Sequence, residues 1–184
     1  MPRLRIITGE FGGRWINADV GSVTHPMGDR IRSALFASLA SRDVLVSAEV
    51  LDAFAGTGAI GLEALSRGAR FVTFIERDSR AAKIIDENIT TLNVENRTKL
   101  IRSAVANWTK TAKNASYDII FADPPYDDLQ FSTALKLLNY LRPNGLMILS
   151  YMSREILPNP NGVVVVDKRS YGEASLMIYQ KLDR

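Results

Sequence analysis

The tetrapeptide Asp123-Pro124-Pro125-Tyr126 carries groups that could bind a planar amine. Its two prolines have a fixed φ and no backbone N–H, so the turn is stiff and offers only carbonyl acceptors. The Asp123 carboxylate adds an acceptor, and an exocyclic –NH2 group needs such acceptors if its lone pair is to face a methyl group. The ring of Tyr126 could stack on a base turned out of its helix. The tetrapeptide therefore predicts methylation of a nucleobase amine, although the same turn also follows strands that have no such chemistry.

A glycine-rich turn lies upstream of this tetrapeptide. The segment Gly56-Thr57-Gly58-Ala59-Ile60-Gly61 fits the G-x-G-x-x-G pattern, between a predicted strand and a predicted helix. Glu76 follows at the end of the next predicted strand, at the distance of about 20 residues where nucleotide-binding folds place a carboxylate for ribose hydroxyls. The pattern predicts a ribose-containing cofactor, and it leaves nicotinamide, flavin and S-adenosylmethionine open.

Asp52 helps to separate these cofactors, because it lies near the end of the strand that precedes the glycine turn. Dinucleotide-binding folds normally keep that position apolar. A carboxylate there would repel a pyrophosphate but suits the ammonium of a methionine moiety. The sequence therefore favours S-adenosylmethionine, whose sulfonium methyl is transferred by direct in-line displacement. In such a reaction, positioning and electrostatics supply most of the catalysis.

The elements that must position these residues alternate between strands and helices. Predicted strands cover residues 50–54, 71–76, 99–101, 117–122 and 146–149, and predicted helices cover 59–67, 79–92 and 129–141. The strands are almost continuously apolar, which is typical of a parallel sheet covered by helices on both faces. Segments 163–166 and 176–179 predict an antiparallel hairpin at the sheet edge. The predicted fold class is α/β, a doubly wound, Rossmann-like and mostly parallel sheet with an antiparallel C-terminal hairpin.

The first part of the chain has a different pattern. Residues 1–20 predict a small β-hairpin, with its turn between Gly9 and Gly13. A loop follows, and Asp29 is the predicted N-cap of a helix that has Arg30 and Arg32 in its first turn. Cations there oppose the helix dipole, so the two arginines either have no function at the surface or form a binding site for an anion. We expect a hairpin and loop over 1–28 and a methyltransferase domain over 29–184.

The composition excludes several other kinds of site. The 184 residues include no cysteine, which excludes disulfides, thiolate metal sites and cysteine nucleophiles. The single histidine, His25, argues against a histidine triad and a multi-histidine centre, so we predict no metal. The formal net charge of +3 permits a nucleic-acid partner without requiring one. No apolar leader and no stretch of membrane-spanning length occurs, so we expect a cytoplasmic protein without a membrane partner.

Together the motifs resemble those of one family. Residues 50–69, Phe74-Ile75-Glu76 and Asp123-Pro124-Pro125-Tyr126 are similar to the matching segments of the bacterial 16S rRNA guanine-N2 methyltransferases. Arg5-Ile6-Ile7-Thr8-Gly9 and Tyr171-Gly172 extend the resemblance over almost the whole chain. The family methylates one guanine of the small-subunit RNA, so the resemblance implies S-adenosylmethionine as cofactor and 16S rRNA as partner. The RNA would be presented in the 30S subunit or an assembly intermediate, and we expect the enzyme to be a monomer.

The motifs and the resemblance assign three sets of residues. The predicted catalytic residues, which would hold the target guanine, are Asp123, Pro124, Pro125 and Tyr126. The predicted cofactor-binding residues are Asp52, Phe54, Gly56, Gly58, Glu76, Arg77, Ser103, Ala104 and Asp123. The predicted RNA contacts are Arg3, Arg5, Arg14, Arg30 and Arg32.

The sequence departs from the family at positions outside the two central motifs. His25-Pro26-Met27 stands where Arg-Pro-Thr is usual, and Ser33 and Ser150 stand where glutamate is usual. These departures leave the cofactor and amine-binding motifs whole and bear on the choice of target base.

Other function classes remain open on the sequence. A DNA adenine-N6 methyltransferase would use the same tetrapeptide, although such enzymes generally need a target-recognition region for which 184 residues leave no room. A non-catalytic RNA-binding or ribosome-assembly protein could keep the fold, but a decayed site should lose the acceptors of Asp123 and the prolines. A nicotinamide oxidoreductase is a more distant alternative.

Overall fold

A computed structural model describes residues 2–18, 27–125 and 131–183. The strands are β1 (Arg3–Arg5), β2 (Trp15–Asn17), β3 (Glu49–Asp52), β4 (Phe71–Glu76), β5 (Thr98–Arg102), β6 (Tyr117–Ala122), β7 (Leu141–Met152), β8 (Val163–Tyr171) and β9 (Ala174–Lys181). The α-helices are α1 (Asp29–Ser41), α2 (Ala59–Ser66), α3 (Ser79–Leu92), α4 (Val105–Thr111) and α5 (Phe131–Lys136). Short 3-10 helices cover Glu95–Arg97 and Leu137–Tyr140. None of the helices in the described ranges is long and apolar enough to cross a membrane.

Seven strands form the main sheet in the order β5-β4-β3-β6-β7-β9-β8. The pairs from β5 to β7 are parallel, whereas β9 runs antiparallel to both β7 and β8. This arrangement confirms the predicted Rossmann-like sheet and its C-terminal hairpin. The strand order changes direction between β3 and β6, and open α/β sheets bind their ligands at the carboxyl ends of the strands beside such a switch point.

The two faces of the sheet have separate cores. In β3, Val50 belongs to the core beneath α1, α2 and α3, and Leu51 belongs to the core beneath α4 and α5. In β6, Phe121 belongs to the first of these cores and Ile120 to the second. Successive side chains of a strand point to opposite faces, so strands covered on both sides must be apolar at nearly every position. This is the pattern that the sequence displays.

The ends of several elements differ from the predictions. Asp78 rather than Ser79 is the N-cap of α3, and its carboxylate accepts a hydrogen bond from the Ala81 N–H at 2.8 Å. Gly28 rather than Asp29 occupies the N-cap position of α1, and no side chain caps the helix. The Asp29 carboxylate instead accepts from the Arg32 guanidinium at 2.9 Å. The predicted helix over 129–141 is α5 followed by a 3-10 helix, and residues 129 and 130 lie outside the described ranges.

Helix α4 has no counterpart among the predicted elements. It contains only 7 residues, and its two buried side chains, Val105 and Trp108, are too few to form a readable period. The Trp108 ring packs 4.7 Å from the ring of Tyr140 and 6.4 Å from that of Tyr117, measured between centroids. Tertiary packing therefore stabilises a helix that local periodicity does not signal.

The predicted N-terminal hairpin is confirmed, since β1 and β2 pair antiparallel with Leu4 opposite Ile16. Its inner side packs into the core beneath α1, α2 and α3, where Ile6, Phe11 and Ile16 are buried. Gly9 has a φ of +93°, and a Cβ there would stand 1.9 Å from the Ser66 carbonyl oxygen. The hairpin segment thus lies directly against α2.

Candidate active site

Three carboxylates meet at the carboxyl end of the sheet. Asp52 ends β3, Glu76 ends the neighbouring strand β4, and Asp123 follows directly after β6 on the other side. The register places Asp52 opposite both Phe74 and Phe121. The residues that the sequence assigned to cofactor and substrate are therefore brought together at the switch point.

Glu76 is tied to the glycine turn. One of its carboxylate oxygens accepts from the Gly56 N–H at 2.8 Å, and the other accepts from the Asp78 N–H at 2.8 Å. Each oxygen has two lone pairs, so one on each remains for a further donor such as a ribose hydroxyl. The sequence predicted Gly56 and Glu76 as separate cofactor contacts, and the structure adds that they bond to each other.

The glycines of the turn have different roles. Gly56 and Gly58 have positive φ values of +54° and +76°, which glycine adopts without steric cost. A Cβ on Gly61 would lie 2.3 Å from the Phe74 ring, so this glycine allows α2 to pack closely on the sheet. A Cβ on Gly56 would meet nothing within 4 Å, so the space beside this residue is open to a ligand.

Asp52 is 1% exposed, and one of its oxygens accepts from the Gly61 N–H at 2.9 Å. Burial, with a smaller contribution from the nearby charges of Asp123 and Glu76, raises the pKa of Asp52 to about 7 against the opposing hydrogen bond from the Gly61 N–H. The site therefore crowds negative charge into a buried space. S-adenosylmethionine fits this group of carboxylates, because its sulfonium and ammonium groups are positive and would relieve the repulsion between the negative charges.

Asp123 is half-buried at the start of the turn after β6. Burial raises its pKa to about 6, and a hydrogen bond from the Ser150 hydroxyl opposes that rise. Ser150 is buried in the adjacent strand β7, one residue beyond the pair formed by Ala122 and Leu149. In the sequence, Ser150 stood out only as a departure from the family. In the structure, its hydroxyl is a hydrogen-bond partner of Asp123, the predicted catalytic carboxylate.

The rest of the predicted substrate turn is described in part. Pro124 is buried and Pro125 is half-buried, next to Asp123. Tyr126 lies outside the described residues, as does His25, so stacking of Tyr126 on a base stays a prediction.

The remaining predicted cofactor residues lie at the same end of the sheet. Phe54 is half-buried against the core beneath α4 and α5, and Arg77 is exposed just after Glu76. The Ser103 N–H donates to the Glu76 carbonyl oxygen at 3.0 Å, and Ala104 is the N-cap of α4. These positions follow the carboxyl ends of β3, β4 and β5, and their contact with a cofactor stays a prediction.

Two of the predicted RNA-binding arginines share the outer face of the hairpin. Arg3 and Arg5 are exposed in β1, and Trp15 stands opposite Arg5 in β2 with 55% of its surface exposed. The sequence did not single out Trp15 as a functional residue. Its place in the predicted return strand, with Ile16 as its inward-facing neighbour, is the signal that could have found it.

Arg14 and Arg30 are also exposed. The Arg14 guanidinium donates to the Thr91 carbonyl oxygen at 2.6 Å and lies 5.9 Å from the Phe11 ring centroid. Arg14 therefore also fastens the hairpin turn to the end of α3.

Arg32 differs from the other predicted RNA contacts, because it is only 1% exposed. Its Nη2 donates to the Arg5 carbonyl oxygen at 2.7 Å and to Asp29, and burial lowers its pKa. A guanidinium held in this way cannot reach a phosphate without unpacking α1. We therefore assign Arg32 a structural role, in which it joins the hairpin to α1, and do not count it among the proposed RNA contacts.

Comparisons with known proteins agree with this architecture. The family described as conserved hypothetical protein 95 matches residues 4–180. Ribosomal RNA small subunit methyltransferase D of Haemophilus influenzae is 32% identical over 182 residues, covering 96% of this chain and 93% of the relative. The protein of the same name from Escherichia coli K12 is 32% identical over 189 residues, covering 97% and 90%. The solved structure of yhhF from Escherichia coli superposes with a TM-score of 0.88 at 31% identity, covering 98% and 99% of the two chains.

Proposed function

The chain belongs to the family described as conserved hypothetical protein 95, and on this premise we propose that it methylates the N2 amine of one guanine in 16S rRNA, with S-adenosylmethionine as methyl donor. The relatives named for small-subunit rRNA methylation support the substrate class. The observation that carries the proposal is the meeting of Asp52, Glu76 and the acceptor-only turn of Asp123 at one switch point.

The cofactor side of the site supplies charge and hydrogen-bond acceptors. When bound, S-adenosylmethionine supplies an electrophilic methyl carbon on a positively charged sulfur. Glu76 would accept from the ribose hydroxyls with the lone pairs that Gly56 and Asp78 leave free. Asp52 would favour the methionine ammonium through its charge, while its bond to Gly61 holds the start of α2 in place.

The substrate side orients the amine. Asp123 and the carbonyl oxygens of the proline turn accept the two N–H hydrogens of the guanine N2 group, which leaves the nitrogen lone pair free to attack. The N–C bond would form as the S–C bond of the donor breaks, the electron pair would stay on sulfur to release S-adenosylhomocysteine, and water would take the proton that the nitrogen then loses. Ser150 keeps the Asp123 carboxylate ionised and directed, because its hydroxyl donates to the charged form.

The hairpin would hold the RNA. Arg3 and Arg5 offer phosphate contacts, and the exposed Trp15 ring in β2 offers a surface on which an unpaired base can stack. We propose that the enzyme acts as a monomer on the 30S subunit or on an assembly intermediate, where the guanine is displayed in a folded RNA.

Transfer of tritiated methyl from S-adenosylmethionine tests this proposal. We expect the label to enter 30S subunits that lack the modification and not to enter double-stranded DNA. Asp123→Ala should lower the transfer rate by a factor of about a hundred or more, since it removes an acceptor from the reacting amine, while calorimetry still detects S-adenosylhomocysteine binding. Label in DNA alone, or undiminished transfer by Asp123→Ala, would contradict the proposal.

A further inference from the structure

Asn88 lies in the middle of α3 and is 1% exposed. Its side chain bonds to two separate parts of the molecule. The Nδ2 group donates to the Asn17 carbonyl oxygen at 2.9 Å and to the Thr57 carbonyl oxygen at 3.0 Å, and the Oδ1 atom accepts from the Asn17 N–H at 2.7 Å. One buried amide therefore joins the last residue of β2 in the hairpin to the glycine turn.

The chemistry of these contacts requires an amide. The group must donate two hydrogens and accept one, which the two N–H bonds and the oxygen of asparagine can do at once. Thr57 stands between Gly56 and Gly58, which have positive φ values, so the Asn88 amide bonds to the middle of the turn. An unpaired Thr57 carbonyl would cost free energy, because Thr57 is buried.

We propose that Asn88 is a positioning residue that holds the RNA-facing hairpin and the cofactor turn in a common register. The inference rests on the proposed function, in that the hairpin contacts RNA and the glycine turn contacts the methyl donor. Other side chains, such as Arg14 and Arg32, also fasten the hairpin, but Asn88 joins it directly to the glycine turn and so aligns RNA seated on the hairpin with the donor. Loss of the amide removes this direct link without altering a residue that contacts either ligand.

Two variants test the role of the amide, with S-adenosylhomocysteine and 30S subunits as probes. Asn88→Asp keeps the acceptor for the Asn17 N–H and the shape of the side chain but loses both donors, and Asn88→Ala loses all three contacts. We expect S-adenosylhomocysteine to bind about tenfold more weakly to either variant. We also expect methyl transfer at saturating cofactor and RNA to fall by about tenfold, with the RNA KM changed by less than about threefold.

Glu87→Ala is the matched control, because Glu87 is the neighbour of Asn88 and accepts from the Asn17 side chain at 3.1 Å without reaching the glycine turn. It should leave both quantities within about twofold of the parent values. A purely structural Asn88 would lower the melting temperature while the folded fraction kept its affinity and its saturated rate, and that result would overturn the proposal. If the parent protein binds S-adenosylhomocysteine but methylates no rRNA, the proposed function fails, and the binding comparison still judges the Asn88–Thr57 contact.

Discussion

At the scale of single residues, the central group is the Asp123 carboxylate, whose pKa burial raises to about 6. The ionised form accepts hydrogen bonds with both oxygens, whereas the protonated form carries a donor that faces the amine with the wrong polarity. The charged form predominates above the raised pKa, so under the proposed role we expect activity at neutral pH that is lost as the pH falls through about 6.

The pH profile of methyl transfer tests this assignment. We expect kcat/KM for the RNA to rise with pH through an apparent pKa of about 6 and to level off above it. Ser150→Ala should move this midpoint to higher pH, because the lost hydroxyl donated to the ionised carboxylate. Ser153→Ala is a suitable control, since Ser153 lies just beyond β7 and bonds to Gly172 and Ser175 instead. A midpoint that does not change in Ser150→Ala would argue against the role of Ser150.

Other residue roles could not be read from the sequence. Arg32 was predicted to contact RNA from its place in a first helical turn, but burial and its bond to the Arg5 carbonyl give it a structural role. Asn88 and Ser150 act through partners that are distant in sequence, and no local pattern reports such partners. The acidic and glycine positions of the site were predictable, because motif spacing and strand ends already locate them.

At the scale of elements, the glycine turn joins β3 to α2 and needs close packing behind it. The first turn of α2 lies so near β4 that a Cβ on Gly61 would stand 2.3 Å from the Phe74 ring and 2.8 Å from the Val72 side chain. The Gly61 N–H also bonds to Asp52, so this position connects the packing of the helix with the cofactor carboxylate.

Gly61→Ala should therefore harm both folding and cofactor binding. We expect overpacking to cost about 1–3 kcal/mol of unfolding free energy and S-adenosylhomocysteine affinity to fall with it. Gly162→Ala is the control, because it introduces strain at a φ of +80° but meets no atom within 4 Å, and it precedes β8 at the amino end of β7, opposite the site. Denaturant unfolding and calorimetry on both variants measure the difference. Equal destabilisation with unchanged affinity in both would contradict the role given to Gly61.

The elements themselves were largely predictable. Both β4 and β6 have the predicted ends, because strands buried on two faces form uninterrupted apolar runs between polar or glycine positions. Strand β7 begins five residues earlier than predicted, since Leu141 already pairs with Tyr117 before the irregular segment that contains Pro143 and Gly145. That pairing depends on the partner strand, and the proline and glycine in the sequence favour a turn there instead.

At the scale of the whole molecule, the small net charge and the placement of the arginines define how RNA can be held. The chain carries only +3 overall, which favours a few placed contacts over broad phosphate binding. Arg3 and Arg5 lie with Trp15 on the hairpin, whereas Arg70 precedes β4 and pairs with Glu49 at the opposite, amino end of the sheet. The hairpin packs against α2 and α3, the same helices that contact the carboxylate site through Gly61 and Asn88.

Salt dependence distinguishes the two kinds of hairpin contact. The double variant Arg3→Ala/Arg5→Ala should weaken binding to 30S subunits and reduce the slope of log K against log salt by about 2, since each phosphate contact releases about one counterion. Trp15→Ala should weaken binding by about 1–3 kcal/mol without changing the slope, because stacking involves no counterion. Arg70→Ala should alter neither quantity. An unchanged affinity in the double variant would remove the hairpin from the RNA surface.

The product nucleoside tests the central claim most directly. The measurement is mass spectrometry of nucleosides from 30S subunits after incubation with the protein and isotopically labelled S-adenosylmethionine, with Asp123→Ala as the inactive control. The acceptor-only turn and the buried carboxylates predict labelled N2-methylguanosine in 16S rRNA with the parent protein and none with the variant. Labelled N6-methyladenosine in its place, or no labelled nucleoside from a folded protein that binds S-adenosylhomocysteine, would contradict the account.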